Sequence, residues 1–161
     1  VISVRIIDGR HGGTGNFLRF ANSYSGASSA LIWFDSLIGN GATNNTVRNV
    51  TVDGNSSTSN LTGIMLSGSA MGAVAEVANS NNNVLNNVLR KAQCGVAAVG
   101  PTVMETGLVI TGNTIGSATV PADRIGFRGI GVFQQNGATI SENTIQGVER
   151  TNADNNAAGF F

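Results

Sequence analysis

The chain has 161 residues, enough for one domain with its own buried core. Nine basic and nine acidic residues cancel to a net charge of zero, so there is no basic field for nucleic acid, and a single cysteine, Cys94, makes neither a disulfide framework nor a structural zinc site. No apolar run reaches the ~18 residues of a membrane-spanning helix, whereas Gly, Asn, Ser and Thr supply 70 of the 161 residues.

Taken in chain order, the sequence reads as short apolar runs broken by turn residues, an all-β pattern. It starts at Val1 without an initiator Met and stops at Phe160-Phe161 inside an apolar run, which reads as part of a longer chain or as a mature one. VRIIDG (residues 4–9) is a strand ending in a turn. The Gly-rich segment that follows holds the one histidine, His11. It lacks the spacing of a phosphate-binding loop and no helix follows it, so it reads as a flexible loop. NFLRF (residues 16–20) reads as the strand closing this first turn of chain, and ALIWF (residues 30–34) as an inserted strand. NVTVDG (residues 49–54) echoes VRIIDG after 45 residues, so residues 1–43 form a less regular portion and 44–161 a regular one, all within one domain. AMGAVAEVA (residues 70–78) is the best helical stretch, but it is short and contains Gly72.

From residue 84 a repeat is plain. VLNNVL, ITGNTI and ISENTI place Asn at 87, 113 and 143, each preceded and followed by aliphatics. VRNVTV at 47–52 is a looser copy. A second marker, Gly then an aliphatic, recurs at Gly63, Gly95, Gly129 and Gly159. Two markers with similar but unequal spacing indicate stacked units with loops of different length. In a strand the inward side chains alternate, yet Ile140 and Asn143 are three apart, so a bend lies between them. Asn tolerates the left-handed backbone such a bend needs. Stacked, Asn87, Asn113 and Asn143 are expected to hydrogen-bond as an internal ladder.

This pattern resembles the repeat of right-handed parallel β-helix proteins, which include pectate lyases, polygalacturonases, phage tailspikes and large bacterial surface proteins. The resemblance implies a solenoid of about five coils, three short strands per coil, rising ~4.8 Å per coil. It is specific for fold and not for function.

Enzymes of this type need clustered carboxylates and a nearby base. The nine acidic residues here are scattered, and the Asn-x-Asp, Asp-Asp and Arg-x-Lys motifs of polygalacturonases are absent. Asp8 and Asp53 both precede Gly and read as turn residues. Cys94 reads as a lone buried thiol. Trp33 and Tyr24, the only Trp and Tyr, lie in the less regular portion and give little stacking surface for a glycan. Thr114 and Thr144 are expected to align, but two threonines are too few for an ice-binding array. The long connections before Gly129 and Gly159 carry Asp123, Arg124, Arg128, Glu149, Arg150 and Asp154, and form a candidate partner-binding patch on one side of the stack.

The expected role is a structural or adhesive module of a secreted or cell-surface bacterial protein, stacking end to end on itself or contacting cell-surface components. Nothing points to a cofactor or metal, and membrane insertion is not expected. The alternatives are a lyase or hydrolase domain acting on acidic polysaccharides and a carbohydrate-binding module.

Overall fold

The computed structural model describes residues 5–24, 26, 29–59 and 61–149, together with the backbone of 158–160. Among them there is no α-helix. The strands are β1 (Arg5–Asp8), β2 (Leu18–Ala21), β3 (Ser29–Asp35), β4 (Asn45–Arg48), β5 (Val50–Asp53), β6 (Leu61–Ser67), β7 (Asn83–Leu85), β8 (Val88–Arg90) and β9 (Ala92–Val99). They continue as β10 (Glu105–Thr106), β11 (Val109–Thr111), β12 (Thr114–Gly116), β13 (Ile125–Phe133), β14 (Gln135–Asn136), β15 (Thr139–Ser141), β16 (Thr144–Gln146) and β17 (Ala158–Phe160). A single 3-10 turn, Pro121–Asp123, precedes β13.

The strands form three five-stranded sheets, ordered β1-β4-β7-β11-β15, β2-β5-β8-β12-β16 and β3-β6-β9-β13-β17, with β10 and β14 paired apart. All the pairings between these strands are parallel. The chain therefore passes from sheet to sheet and returns each time beside its earlier strand. The register stacks like on like. Ile7, Val47, Val84, Ile110 and Ile140 make one column. Phe20, Val52, Leu89, Ile115 and Ile145 make a second, and Ile32, Ile64, Val96 and Ile130 a third. These columns belong to one core. Each fully buried aliphatic contributes about 1.5–3 kcal/mol.

Two of the recurring glycines, Gly63 and Gly95, have a steric cause. A Cβ on Gly95 would lie 2.5 Å from the Gly129 carbonyl oxygen and 2.6 Å from Ile115 Cγ2. One on Gly63 would lie 2.6 Å from the Gly95 oxygen. The third sheet crowds the aliphatics of the second at this point, and only glycine fits.

Several expectations need correction. VRIIDG does not align with NVTVDG, because β1 pairs with β4 and not with β5. ALIWF is no insertion: β3 pairs with β6, the strand that carries Gly63, while the NFLRF strand β2 pairs with β5. The mistake came from matching Asp-Gly to Asp-Gly, whereas aliphatic columns decide the register. Residues 70–78, short and interrupted by Gly72, are turns and irregular chain, in keeping with the all-β expectation. The strands β3, β6, β9 and β13 are not short, at 7, 7, 8 and 9 residues.

The bend between first-sheet and second-sheet strands also differs in detail. The left-handed residues are Asn49, Asn86, Gly112 and Glu142, with φ of 54°, 54°, 71° and 56°. In three of the four bends the residue that follows is a marker asparagine, at 87, 113 and 143, so that residue turns inward for another reason. Glutamate is a poor occupant of this conformation, which costs a non-glycine residue roughly 1–2 kcal/mol. Its side chain is exposed. The substitution Glu142→Asn should therefore raise stability by about 0.5–1 kcal/mol, read as a shifted urea midpoint at unchanged slope.

Candidate functional site

The asparagines at 87, 113 and 143 stand one above another inside the bend. The backbone N–H and side-chain Nδ2 of Asn87 both donate to Oδ1 of Asn113, at 2.9 and 3.0 Å. Those of Asn113 donate to Oδ1 of Asn143, at 3.0 and 2.9 Å. Each Nδ2 also donates to a first-sheet carbonyl of the preceding strand: Asn87 to Val47, Asn113 to Val84 and Asn143 to Ile110. The amide thus replaces the backbone partner that the bend takes away. In the direction of the earlier strands the column changes. The N–H of Val50 donates to Oδ1 of Asn87 at 3.1 Å, and Leu18 holds the register position beside Val50.

A second buried polar column was missed in the sequence. The N–H and Nδ2 of Asn45 donate to Oδ1 of Asn82, at 2.9 and 3.1 Å. Nδ2 of Asn82 donates to the carbonyls of Ala42 and Asn79. Beside it the N–H of Ala42 donates to Oδ1 of Asn79, and the N–H of Asn79 to Glu105 Oε1 at 2.8 Å. Gln135 Nε2 closes the run on Glu105 Oε2 at 2.6 Å. Glu105 is buried. The clue was Asn-x-Val at 45–47 and again at 82–84, hidden in the Asn-rich run 79–83.

The charged groups are engaged in the same way. Asp53 is no turn residue: it is buried on β5 and held by the Nε groups of Arg19 and Arg90 from the strands on either side. Burial pushes its carboxyl up, but the hydrogen bonds from Arg90 and Arg19 outweigh that and hold it below the usual range. Arg90 reaches on to Asp123 Oδ2 at 3.1 Å, and Lys91 lies 3.5 Å from Asp123 Oδ1. Charge alternates along this ribbon across three strands and a loop. Asp8 is bound by Arg10, Arg48 and Asn49, and the Arg10 hydrogen bond leads in holding its carboxyl far below the usual range. Glu76 accepts from the hydroxyls of Ser69 and Ser36, at 2.6 and 2.7 Å, which lowers its pKa from 4.5 to about 2.

Four of the six loop charges lie among the described residues, and each has its own contacts. Asp123 turns to Arg90 and Lys91. Arg124 pairs with Glu149, where the two long connections meet and the Glu149 N–H donates to the Ile125 carbonyl at 2.7 Å. Arg128 lies on the third sheet with its guanidinium 4.2 Å over the Phe127 ring and 5.5 Å over that of Phe133. Arg150 and Asp154 lie outside the described residues. His11 sits in an exposed turn, edge-on to Phe17. Burial pushes the Cys94 thiol up, against a weaker opposing pull from Arg128, so it is a poor nucleophile at neutral pH. The Trp33 indole N–H donates to Ser67 Oγ at 2.9 Å. Among the described residues no group of three His, Cys, Asp or Glu side chains is placed to hold a metal ion.

Comparison with protein-family models, with curated proteins and with solved structures finds no match to this chain.

Two tests follow from these contacts. Asn113→Ala leaves the buried Asn87 N–H without its acceptor and should cost about 1–3 kcal/mol in urea unfolding. Asn143→Ala, at a half-buried position, should cost about half as much. In acid, Glu76, Asp53 and Asp8 all bind protons less readily when folded than when unfolded. Their stabilisation is full above the unfolded carboxylate pKa and is lost as pH falls through the lowered values. The melting temperature should fall between pH 4.5 and about 2, the window set by Glu76, and Glu76→Gln should make that slope shallower. A flat profile in both proteins contradicts the assignment.

Proposed function

We propose that the chain is a right-handed parallel β-helix of five coils, three main strands to a coil, acting as a structural or adhesive module of a secreted or cell-surface bacterial protein. The observation that carries this reading is the strand order. Each large sheet takes its five strands in sequence order, and every return is parallel. Parallel returns across a sheet are almost always right-handed. The polar chemistry supports a scaffold. Asp8, Asp53, Glu76, Glu105, Asp123 and Glu149 are each committed to a contact that holds strands or loops together. A polysaccharide lyase or hydrolase needs at least two carboxylates and a base free on one face.

A scaffold of this kind extends by adding coils. The core columns end in Ile7, Phe20 and Ile32 on one side, and two of them in Ile140 and Ile145 on the other. Translation of one copy along the stack sets β15 and β16 beside β1 and β2 of the next, with aliphatic on aliphatic. The ladder column fits less well, since Leu18 offers no oxygen to the N–H and Nδ2 of Asn143. Each unmet buried donor costs about 1–3 kcal/mol.

Negative-stain electron microscopy with size-exclusion chromatography tests the reading. Rods longer than one molecule are expected at high concentration, and Leu18→Asn should lengthen them by supplying the missing acceptor. Discrete monomers in both proteins would sink end-to-end assembly.

A further inference from the structure

The same four residues, Asn-Gly-Ala-Thr, occur twice, at 40–43 and at 136–139, and they hold the only two Asn-Gly pairs among the twenty asparagines of the sequence. An asparagine before glycine has a reaction of its own. With no Cβ in the way, the glycine nitrogen reaches the asparagine Cγ more readily than the nitrogen of any other residue. Hydroxide removes the glycine N–H proton, the N–Cγ bond forms, and the Cγ–Nδ2 bond breaks as ammonia leaves with a proton from water. Water then opens the five-membered imide at either carbonyl, giving aspartate or isoaspartate. The step needs no catalyst, only freedom of the peptide to turn out of its regular conformation.

The fold gives that freedom to one copy and denies it to the other. Both asparagines are exposed, and the N–H of neither following glycine donates to a described residue. The surroundings differ. The Asn40 N–H donates to the Leu37 carbonyl and its carbonyl accepts from the Leu37 N–H, each at 2.8 Å. Gly41 is wedged against the Ala78 carbonyl, where a Cβ would lie 2.1 Å from the oxygen, and the Ala42 N–H is held by Asn79 Oδ1 at 2.7 Å. Asn136, by contrast, ends β14, a two-residue strand that pairs with β10 alone. Nothing lies within 4 Å of the point where a Cβ on Gly137 would stand. Gly137 holds a φ of 69°, a region that glycine leaves at little cost. A short, exposed strand end opens locally far more often than the packed body of a fold does.

We infer that Asn136 deamidates spontaneously in the folded protein while the Asn40-Gly41 pair is protected by its packing, and that the product loosens the turn from β14 into β15. The new carboxylate stands beside Gln135, whose Nε2 holds the buried Glu105 carboxylate at 2.6 Å. Isoaspartate also adds one carbon to the main chain. That carbon falls between the Thr106–Asn136 pairing and the Thr139 N–H, which donates to the Leu108 carbonyl at 2.8 Å. The lengthened link no longer fits both anchors.

Peptide mass spectrometry of the whole chain, held folded in mildly alkaline buffer, tests this. Residue 136 should gain about one dalton and appear as both aspartate and isoaspartate, about tenfold or more faster than residue 40. In concentrated urea the two identical tetrapeptides should react within about threefold of each other, since packing no longer distinguishes them. A folded-state ratio no larger than that in urea overturns the inference, and so does an Asn136 that stays unmodified in folded protein while the unfolded chain reacts. Gly137→Ala should slow the reaction at 136 severalfold and leave that at 40 unchanged, with circular dichroism checking the fold. An unchanged rate at 136 in that variant overturns the ring-closing route. The modified form, separated by anion exchange, should unfold at a lower urea concentration than the parent. An equal midpoint overturns the loosening of the turn.

Discussion

The structure depends on a hydrogen bond that crosses from one strand's bend to the next: a backbone N–H donating to the side-chain oxygen of an asparagine. Wherever a strand turns sharply out of one sheet into another, the regular ladder of backbone bonds is interrupted. An inward-facing polar group in that position would be costly. The amide of asparagine is the shortest side chain that both accepts from the strand before and donates to a carbonyl on the far side of the bend. Once that group is fixed, the distance between successive bends is set by strand spacing. The aliphatic columns on either side are then brought into contact without further adjustment.

This constraint accounts for the composition. A core that repeats residue over residue needs few kinds of side chain, so Val, Ile and Leu recur at matched register. Glycine enters where two sheets converge, and charge is driven outward into paired ribbons. Buried Asp53 and Glu105 depart from this: a guanidinium reaches Asp53 from the strands on either side, and Glu105 accepts from the Asn79 N–H and Gln135 Nε2. Among the described residues the buried asparagines, Asn45, Asn79, Asn82, Asn87 and Asn113, all belong to the two internal columns.

The all-β class and parallel pairing were legible because aliphatic spacing and glycine markers act locally and repeat. The marker asparagines were visible for the same reason, although the left-handed backbone belongs to the residue before each of them. Other features were not legible. The register of β1, β2 and β3 rests on aliphatic columns that VRIIDG and NVTVDG satisfy equally well by eye, and the shared Asp-Gly misdirects. The roles of Asp53, Glu76 and Glu105 depend on partners 34, 40 and 26 residues away. Asp123 turns to Arg90, 33 residues away, a partner that spacing alone does not encode.

The ladder has ends of unequal character, and this has a mechanical consequence. Force applied along the direction of the inter-strand hydrogen bonds loads successive junctions in series, so the weakest yields first. Between β7–β8 and β11–β12, and again between β11–β12 and β15–β16, the bend adds two amide-mediated bonds to the backbone pairing. Between the strands that carry Val50 and Leu18 it adds none from this column, because neither side chain is an amide. The same junction is crossed by the Arg19–Asp53 and Arg48–Asp8 ion pairs, so charge holds it where amides hold the others. Acid or salt therefore softens this junction first and leaves the amide-held ones unchanged.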